Sequence, residues 1–247
     1  MITIKTDAQI NVMRRAGRIV AETLELVGKN IRPGMTTEEI DRMAEDFILS
    51  RGAKPAFKGY HGFPASTCIS IDEEVVHGIP GKRIIVEGQI VSIDLGAIVE
   101  GFYGDSAATF AVGEISDEKR KLLEVTKRSL EAGIAEVKDG NKLGRVSNAI
   151  QKVAESAGFS VVRDLVGHGI GRAMHEEPQI PNYGSVEEGP VMESGMVLAI
   201  EPMVNVGSYK VQTKSDGWTI ATTDGMPSAH FEHTIAVTAK GGDILTL

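Results

Sequence analysis

The 247-residue chain contains one cysteine, Cys68, and only 5% aromatic residues, among them a single tryptophan, Trp218. A lone thiol cannot close an internal disulfide or share a thiolate zinc site with its own kind, which fits a reducing compartment. No apolar run approaches the roughly 20 residues of a membrane span, and the opening residues 1–7 lack the basic-then-apolar pattern of a secretory signal. The expected location is cytoplasmic. No block of Lys or Arg stands out, and 34 acidic against 26 basic side chains give a formal net charge of −8, so neither DNA nor a membrane is expected as a partner. Several catalytic templates are also missing: there is no His-Glu-x-x-His, no Gly-x-Ser-x-Gly elbow and no Walker loop, and glycines 167, 169 and 171 lack dinucleotide-binding spacing. With 42% apolar and 24% charged residues, the chain has material for one large core or two small ones.

What stands out is the stretch Gly167-His168-Gly169-Ile170-Gly171-Arg172-Ala173-Met174-His175-Glu176-Glu177-Pro178. Glycine at every second position opposes a helix and signals a backbone that comes close to something else, with two imidazoles set in one irregular segment. Upstream, Thr6-Asp7-Ala8-Gln9 reads as a capping box, and Ile10, Met13, Ile19, Val20, Leu24 and Val27 keep a helical period that ends at Gly28. A second box, Thr36 with Glu39, opens a helix whose buried face is Ile40, Met43, Ala44, Phe47 and Ile48 and which Gly52 stops. Residues 53–67 read as loop. The run Cys68-Ile69-Ser70-Ile71 reads as a strand, ahead of a turn at His77-Gly78-Ile79-Pro80.

Residues 89–112 carry the clearest strand signal, a hairpin with arms 89–98 and 102–112 and a turn at Glu100-Gly101. With those two residues as the turn, Asp105 faces Gly96 and Asp94 faces Ala107. Both carboxylates then lie on one face as diagonal neighbours, about 7–8 Å apart at Cα, within reach of a common metal. Beyond Ser116 the pattern repeats at a constant offset: Leu24, Gly34, Ile40 and Gly52 fall on Leu130, Gly140, Val146 and Gly158. The arm ending in Asp94 falls on the one ending in Glu201, and the returning arm from Asp105 falls on the one from Glu232. Two similar helix-helix-hairpin halves, about 1–115 and 116–247, are therefore expected to pack into a single domain covering the whole chain.

Two facing halves would gather Asp94, Asp105, Glu201 and Glu232, and four carboxylates share a site only if cations neutralise them. Together with His168 they form a donor set suited to Mn, Fe, Co or Zn at two positions about 3.5–4 Å apart, an arrangement that activates water for hydrolysis. Cys68, in an apolar strand, reads as a buried small hydrophobe rather than a nucleophile. His230 and His233 point to opposite faces of a strand, His230 towards Glu232 as an outer-shell contact and His233 away from it as a structural residue.

The motifs Tyr60-His61-Gly62-Phe63-Pro64, His77-Gly78-Ile79-Pro80, Asp94 with Asp105, Gly167 to Pro178, Ile200-Glu201-Pro202-Met203 and Phe231-Glu232-His233-Thr234 together resemble type I methionine aminopeptidases in their short bacterial form. The resemblance spans nearly the whole chain. It implies the pita-bread α/β (α+β) fold, a pseudo-two-fold antiparallel sheet with helices on its outer face, and hydrolytic removal of an N-terminal methionine from nascent proteins and peptides whose second residue is small. By the same resemblance Asp94 would bind one metal, Asp105 and Glu232 would bridge, and His168 and Glu201 would complete the second position. Glu201 would also be the general base, and His77 and His175 would contact substrate and the developing oxyanion. The methionine pocket would comprise Tyr60, Phe63, Cys68 and Trp218, with Phe57 at its edge. Implied partners are methionine-initiated chains, with transient ribosome association and a monomeric state.

Two positions depart from the family pattern. Met174 stands where an aromatic is usual, and His230 where glutamine is usual. Prolidase and aminopeptidase P resemble the chain in their metal ligands but carry an extra N-terminal domain, for which a first helix starting near Thr6 leaves no room. A non-catalytic binding relative would be expected to lose ligands and to carry a basic surface. Neither feature is present here.

Overall fold

The computed structural model describes residues 1–247. Helix α1 runs Asp7–Asn30 and α2 Thr37–Ser50, each opened by the full capping box expected, Thr6 with Gln9 and Thr36 with Glu39. Helix α1 does not stop at Gly28. It runs on to Asn30, and Gly28 stands there because its bare Cα lies against the Phe110 ring, where a Cβ would come within 2.3 Å of Cε1; the glycine is a packing requirement and not a cap. Helix α2 stops as expected, with Gly52 just beyond it in the left-handed region (φ 73). The second half repeats the pair as α3, Asp117–Ala135, and α4, Gly144–Ser156.

Every strand pairing is antiparallel. Ile90–Val99 and Phe102–Ala111 form a continuous hairpin about Glu100 (φ 50) and Gly101 (φ 78), both left-handed as a two-residue hairpin turn requires. Within it Gly96 pairs with Asp105 and Asp94 with Ala107, the register read from the sequence. Thr67–Ile71 adds to its edge, and the segment read as loop also contributes a short strand, Lys54–Pro55, and a 3₁₀ turn, Tyr60–Gly62. In the second half, Val197–Ile200 pairs with His233–Thr238, and Met203–Asn205 with Ser228–His230. This hairpin is interrupted at Glu201-Pro202 and at Phe231-Glu232, where proline cannot donate to the ladder. The flanking pairs Ile200 with His233 and Met203 with His230 place Glu201 opposite Glu232, whereas the first-half aspartates are diagonal.

Strand alternation divides each half between core and site. Val91, Ile93, Leu95 and Ala97 pack against Val20, Leu24, Val27, Ile40, Ala44 and Ile48 of the first helix pair. Asp94, between them in sequence, consequently faces the other side of the sheet. Leu198, Ile200, Ile235 and Val237 pack in the same manner on Leu122, Val125, Leu130, Val146 and Ile150, which leaves Ala199 and Thr234 on the opposite face. At the seam between the halves, Glu232 N–H donates to the Ala107 carbonyl at 2.9 Å and Ser106 Oγ donates to the Glu232 carbonyl. The architecture is the pita-bread arrangement: antiparallel sheets with the helices on one side and the carboxylates on the other. No helix is long and apolar enough to cross a membrane.

Candidate active site

The glycines of the 167–171 stretch answer a steric demand from neighbouring strands. Gly167–Gly169 is a short strand rather than irregular chain, laid between Glu176–Ile180 and Val197–Ile200. A Cβ on Gly167 would sit 2.4 Å from the Ala199 carbonyl oxygen, and one on Gly169 would sit 2.2 Å from that of Glu177. Only backbone fits there, and His168 is thereby held between two glycines with its ring turned to the site. Its Nδ1–H donates to the Gly169 carbonyl at 2.9 Å, a bond that fixes the tautomer and leaves the Nε2 lone pair free, 3.6 Å from Glu201 Oε1.

Nitrogen or oxygen atoms of His168, Asp105 and Glu232 lie within 4.8 Å of one another. Glu201 adjoins His168, and Asp94 lines the same cavity, so the structure brings all five sequence-selected donors together. Asp94 Oδ1, Asp105 Oδ1 and Glu232 Oε1 are buried without a hydrogen-bond partner. Burial raises all four carboxyls, Asp105 to about 7. Proximity adds to the effect: Asp105 and Glu201 push Asp94 up further, and Asp105 does the same to Glu201 and Glu232. Burial and the neighbouring His175 take His168 down to about 4, so its ring is neutral and able to coordinate. Four carboxylates that cannot all ionise together, three unpartnered oxygens and a neutral imidazole with a free lone pair fit divalent cations and little else.

A cavity of about 230 Å³ opens onto this cluster. Tyr60, Phe63, Cys68 and Trp218, with Phe57, line it as expected, joined by Met174. Phe63 and Trp218 meet edge to face with ring centroids 5.2 Å apart. Trp218 comes from the other half of the chain, on a turn held by Asp216, whose carboxylate accepts from the N–H groups of Trp218 and Thr219 at 2.9 Å. Cys68 is paired with Asp94 across the strands, and burial together with the carboxylates of Asp94 and Asp105 pushes its thiol well above the usual range, so it stays an uncharged wall group.

His77 and His175 also line the cavity, both lowered by burial and so neutral. His61 lines it too, in the left-handed region (φ 49); the sequence places it in the Tyr60–Pro64 motif but assigns it no role. His230 is 1% exposed, with neither ring nitrogen bonded and Nε2 3.6 Å from Glu201 Oε2. It is not among the residues that line the cavity. His233 turns away and bonds Thr246 Oγ1 at 2.9 Å. A larger cleft of about 570 Å³ lies on the helix side between α1 and α3, with Glu232 as the only one of the five donors on its wall. The convergence of donors makes the smaller cavity the candidate reaction site.

Residues 11–239 match the model of metallopeptidase family M24. The chain is 56% identical over 246 residues to methionine aminopeptidase 1 of Bacillus subtilis, covering 100% of this chain and 99% of that one. It is 55% identical to a methionine aminopeptidase of Clostridium acetobutylicum, with the same coverage. The crystal structure of methionine aminopeptidase from Thermotoga maritima, 50% identical, superposes with a TM-score of 0.98 over 100% of this chain and 99% of that one. A prolidase from Pyrococcus furiosus shares the fold at 24% identity, with a TM-score of 0.80; 99% of this chain covers 65% of it.

Proposed function

The chain belongs to metallopeptidase family M24, within it to the methionine aminopeptidases, and we propose that it works with two divalent ions held by Asp94, Asp105, His168, Glu201 and Glu232. Metal-dependent hydrolytic removal of an N-terminal methionine is its activity. The observation that supports the finer reading is the cluster of buried, unpartnered carboxylate oxygens at the end of a cavity walled by aromatics, Cys68 and Met174. Mn, Fe, Co and Zn all suit one imidazole and four carboxylates. Bound there, the metals would supply a Lewis acid that polarises the scissile carbonyl and makes water a competent nucleophile at neutral pH.

The chain's own groups account for the rest of the reaction. The methionine side chain enters between Phe63, Trp218, Tyr60 and Cys68, where aromatic faces suit an unbranched thioether. The free α-amine is drawn to the carboxylate end of the cavity, so an acetylated or formylated terminus is refused. Glu201 accepts the proton of the attacking water and passes it to the leaving amine, so that the peptide C–N bond is replaced by a carboxyl and a free amine. N–H groups of His77 and His175 stabilise the negative charge that develops on the carbonyl oxygen. A single catalytic domain over 1–247, with halves meeting near residue 115, belongs to the same reading, supported by the Glu232–Ala107 and Ser106–Glu232 bonds at the seam.

The substrates are methionine-initiated peptides and nascent chains with a small second residue; action as a cytoplasmic monomer with transient ribosome contact completes the proposal. Values of kcat/KM for Met-Ala, Met-Leu, Leu-Ala and acetyl-Met-Ala peptides on metal-reconstituted enzyme test it. Met-Ala should lead the series. Equal values for Met-Ala and Met-Leu would remove the small-residue requirement, and turnover of the acetylated peptide would remove the amine-binding role.

A further inference from the structure

Tyr60 reaches across the cavity mouth to His175. Its phenolic oxygen lies 2.7 Å from His175 Nδ1 and makes no other hydrogen bond. The local backbone holds it there: Tyr60 opens the 3₁₀ turn Tyr60–Gly62, with Gly59 (φ 84), His61 (φ 49) and Gly62 (φ 89) all in the left-handed region. Tyr60 N–H donates to the Phe57 carbonyl, and the Tyr60 carbonyl accepts from Phe63 N–H, both at 2.9 Å. The His61 ring packs edge-on against the phenol at 4.3 Å between centroids.

A neutral imidazole carries one proton, and the partner of one nitrogen decides which. If Nδ1 donated to the phenol, Nε2 would present a bare lone pair to the substrate oxygen, and the phenol O–H, with no protein acceptor, would be left to solvent. If the phenol donates, both groups are satisfied, and the imidazole proton resides on Nε2. We propose that Tyr60 is a positioning residue for the hydrolysis: its O–H donates to His175 Nδ1 and fixes the ring as the Nε2–H tautomer, the form able to donate to the substrate carbonyl oxygen. This rests on the role given above to His175. It also links selectivity to chemistry, because the same Tyr60 ring packs into the cavity wall with Phe63, Cys68 and Met174. A side chain that fills the cavity braces the ring that sets the donor.

The test uses the full-length protein. In wild-type, metal-free protein labelled with ¹⁵N-histidine, long-range ¹H–¹⁵N spectra assigned with His175→Ala should show His175 protonated at Nε2; a proton on Nδ1 overturns the proposal without any variant. In metal-reconstituted enzyme Tyr60→Phe, which keeps the ring, should lower kcat about ten- to hundredfold with KM within about twofold. The spectra of that variant should show the tautomer preference relaxed. A raised KM with kcat unchanged would make Tyr60 a wall residue only and overturn the proposal. If His175→Ala is inactive while Tyr60→Phe turns over normally, the proposal alone falls; if His175→Ala turns over normally, the role of His175 falls first.

Discussion

Thr234 holds Asp105 from the opposite half of the chain: its Oγ1 accepts from the Asp105 N–H at 3.1 Å and donates to the Asp105 carbonyl at 2.7 Å. In place of main-chain pairing, a side-chain hydroxyl joins the two halves at Asp105, one of the proposed metal donors. Thr234→Val keeps the shape and removes both bonds, leaving a buried N–H and C=O unpaired. The expected cost is about 2–4 kcal/mol, two such groups at 1–3 each with partial relaxation. Urea denaturation should show it as a lower midpoint at an unchanged slope, and a midpoint equal to wild type would mean that the hydroxyl is dispensable.

Metal-free protein should lose stability as pH rises. Asp94, Asp105, Glu201 and Glu232 have folded pKa values above the unfolded values near 4, so the folded state binds more protons. Their contribution is fully present below about pH 4 and is lost as pH climbs through the folded values, the Asp105 value being about 7. Thermal midpoints of chelated protein should therefore fall above about pH 6.5, where the buried histidines, His168 and His233 at about 4 and His230 at about 3, no longer add stability with rising pH, and saturating Mn should abolish the fall because cations replace the protons. Parallel curves with and without metal would count against the cluster as the binding site.

Removing a donor should separate metal binding from turnover. Asp105→Ala and Glu232→Ala are expected to lose at least one equivalent of metal by titration calorimetry, whereas His175→Ala should retain its metal and lose about 10²–10³ in kcat. A metal-depleted His175 variant would place that ring among the donors.

Gly169→Ala and Gly171→Ala should differ. At 169 the new Cβ would meet the Glu177 backbone, with its carbonyl carbon at 2.7 Å, and the Glu176–Ile180 strand must move. At 171 the nearest atoms are Lys5 Cε and Glu176 Oε1, both at 2.6 Å, side-chain atoms of a buried ion pair rather than strand backbone. Gly169→Ala is expected to cost about 2–3 kcal/mol and to weaken metal binding, whereas Gly171→Ala should leave metal binding intact and cost stability only through the displaced Lys5–Glu176 pair. Equal effects would contradict the steric reading.

Lys5 and Glu176 pair at 2.8 Å with side chains 5% and 13% exposed, tying the N-terminal segment to the residue after His175. Burial alone would raise the Glu176 carboxyl, yet bonds from Lys5, Thr3 and the Ala173 N–H outweigh it and hold it below its usual range. Its stabilisation is present above the unfolded value near 4.3 and lost as pH falls through the folded one. Lys5→Met, which strands the carboxylate, should cost about 3 kcal/mol near neutral pH, and adding Glu176→Gln should restore part of it. An additive double variant would show the pair to be uncoupled.

Local rules were sufficient for much of this molecule. Both capping boxes, the left-handed stop at Gly52 and the Asp94–Asp105 register depend on hydrogen bonds within a few residues or across one two-residue turn, and the sequence determines them directly. The family motifs and the repeat likewise mark Asp94, Asp105, His168, Glu201 and Glu232, and with them Tyr60, Phe63, Cys68 and Trp218, all of which line one cavity. Other features needed partners distant in the chain. Gly28 is a packing glycine because of Phe110, and the alternate glycines around His168 are required by carbonyls of Glu177 and Ala199 in other strands. Glu201 and Glu232 face each other because the second hairpin pairs Ile200 with His233 and Met203 with His230, a register that period-two alternation does not encode. Thr234 on Asp105, and Tyr60 on His175, pair groups from opposite halves. Side-chain chemistry alone sets which atoms can bind; which ones meet was decided by the tertiary seam, since a hydrogen bond exists only where folding brings donor and acceptor to about 3 Å.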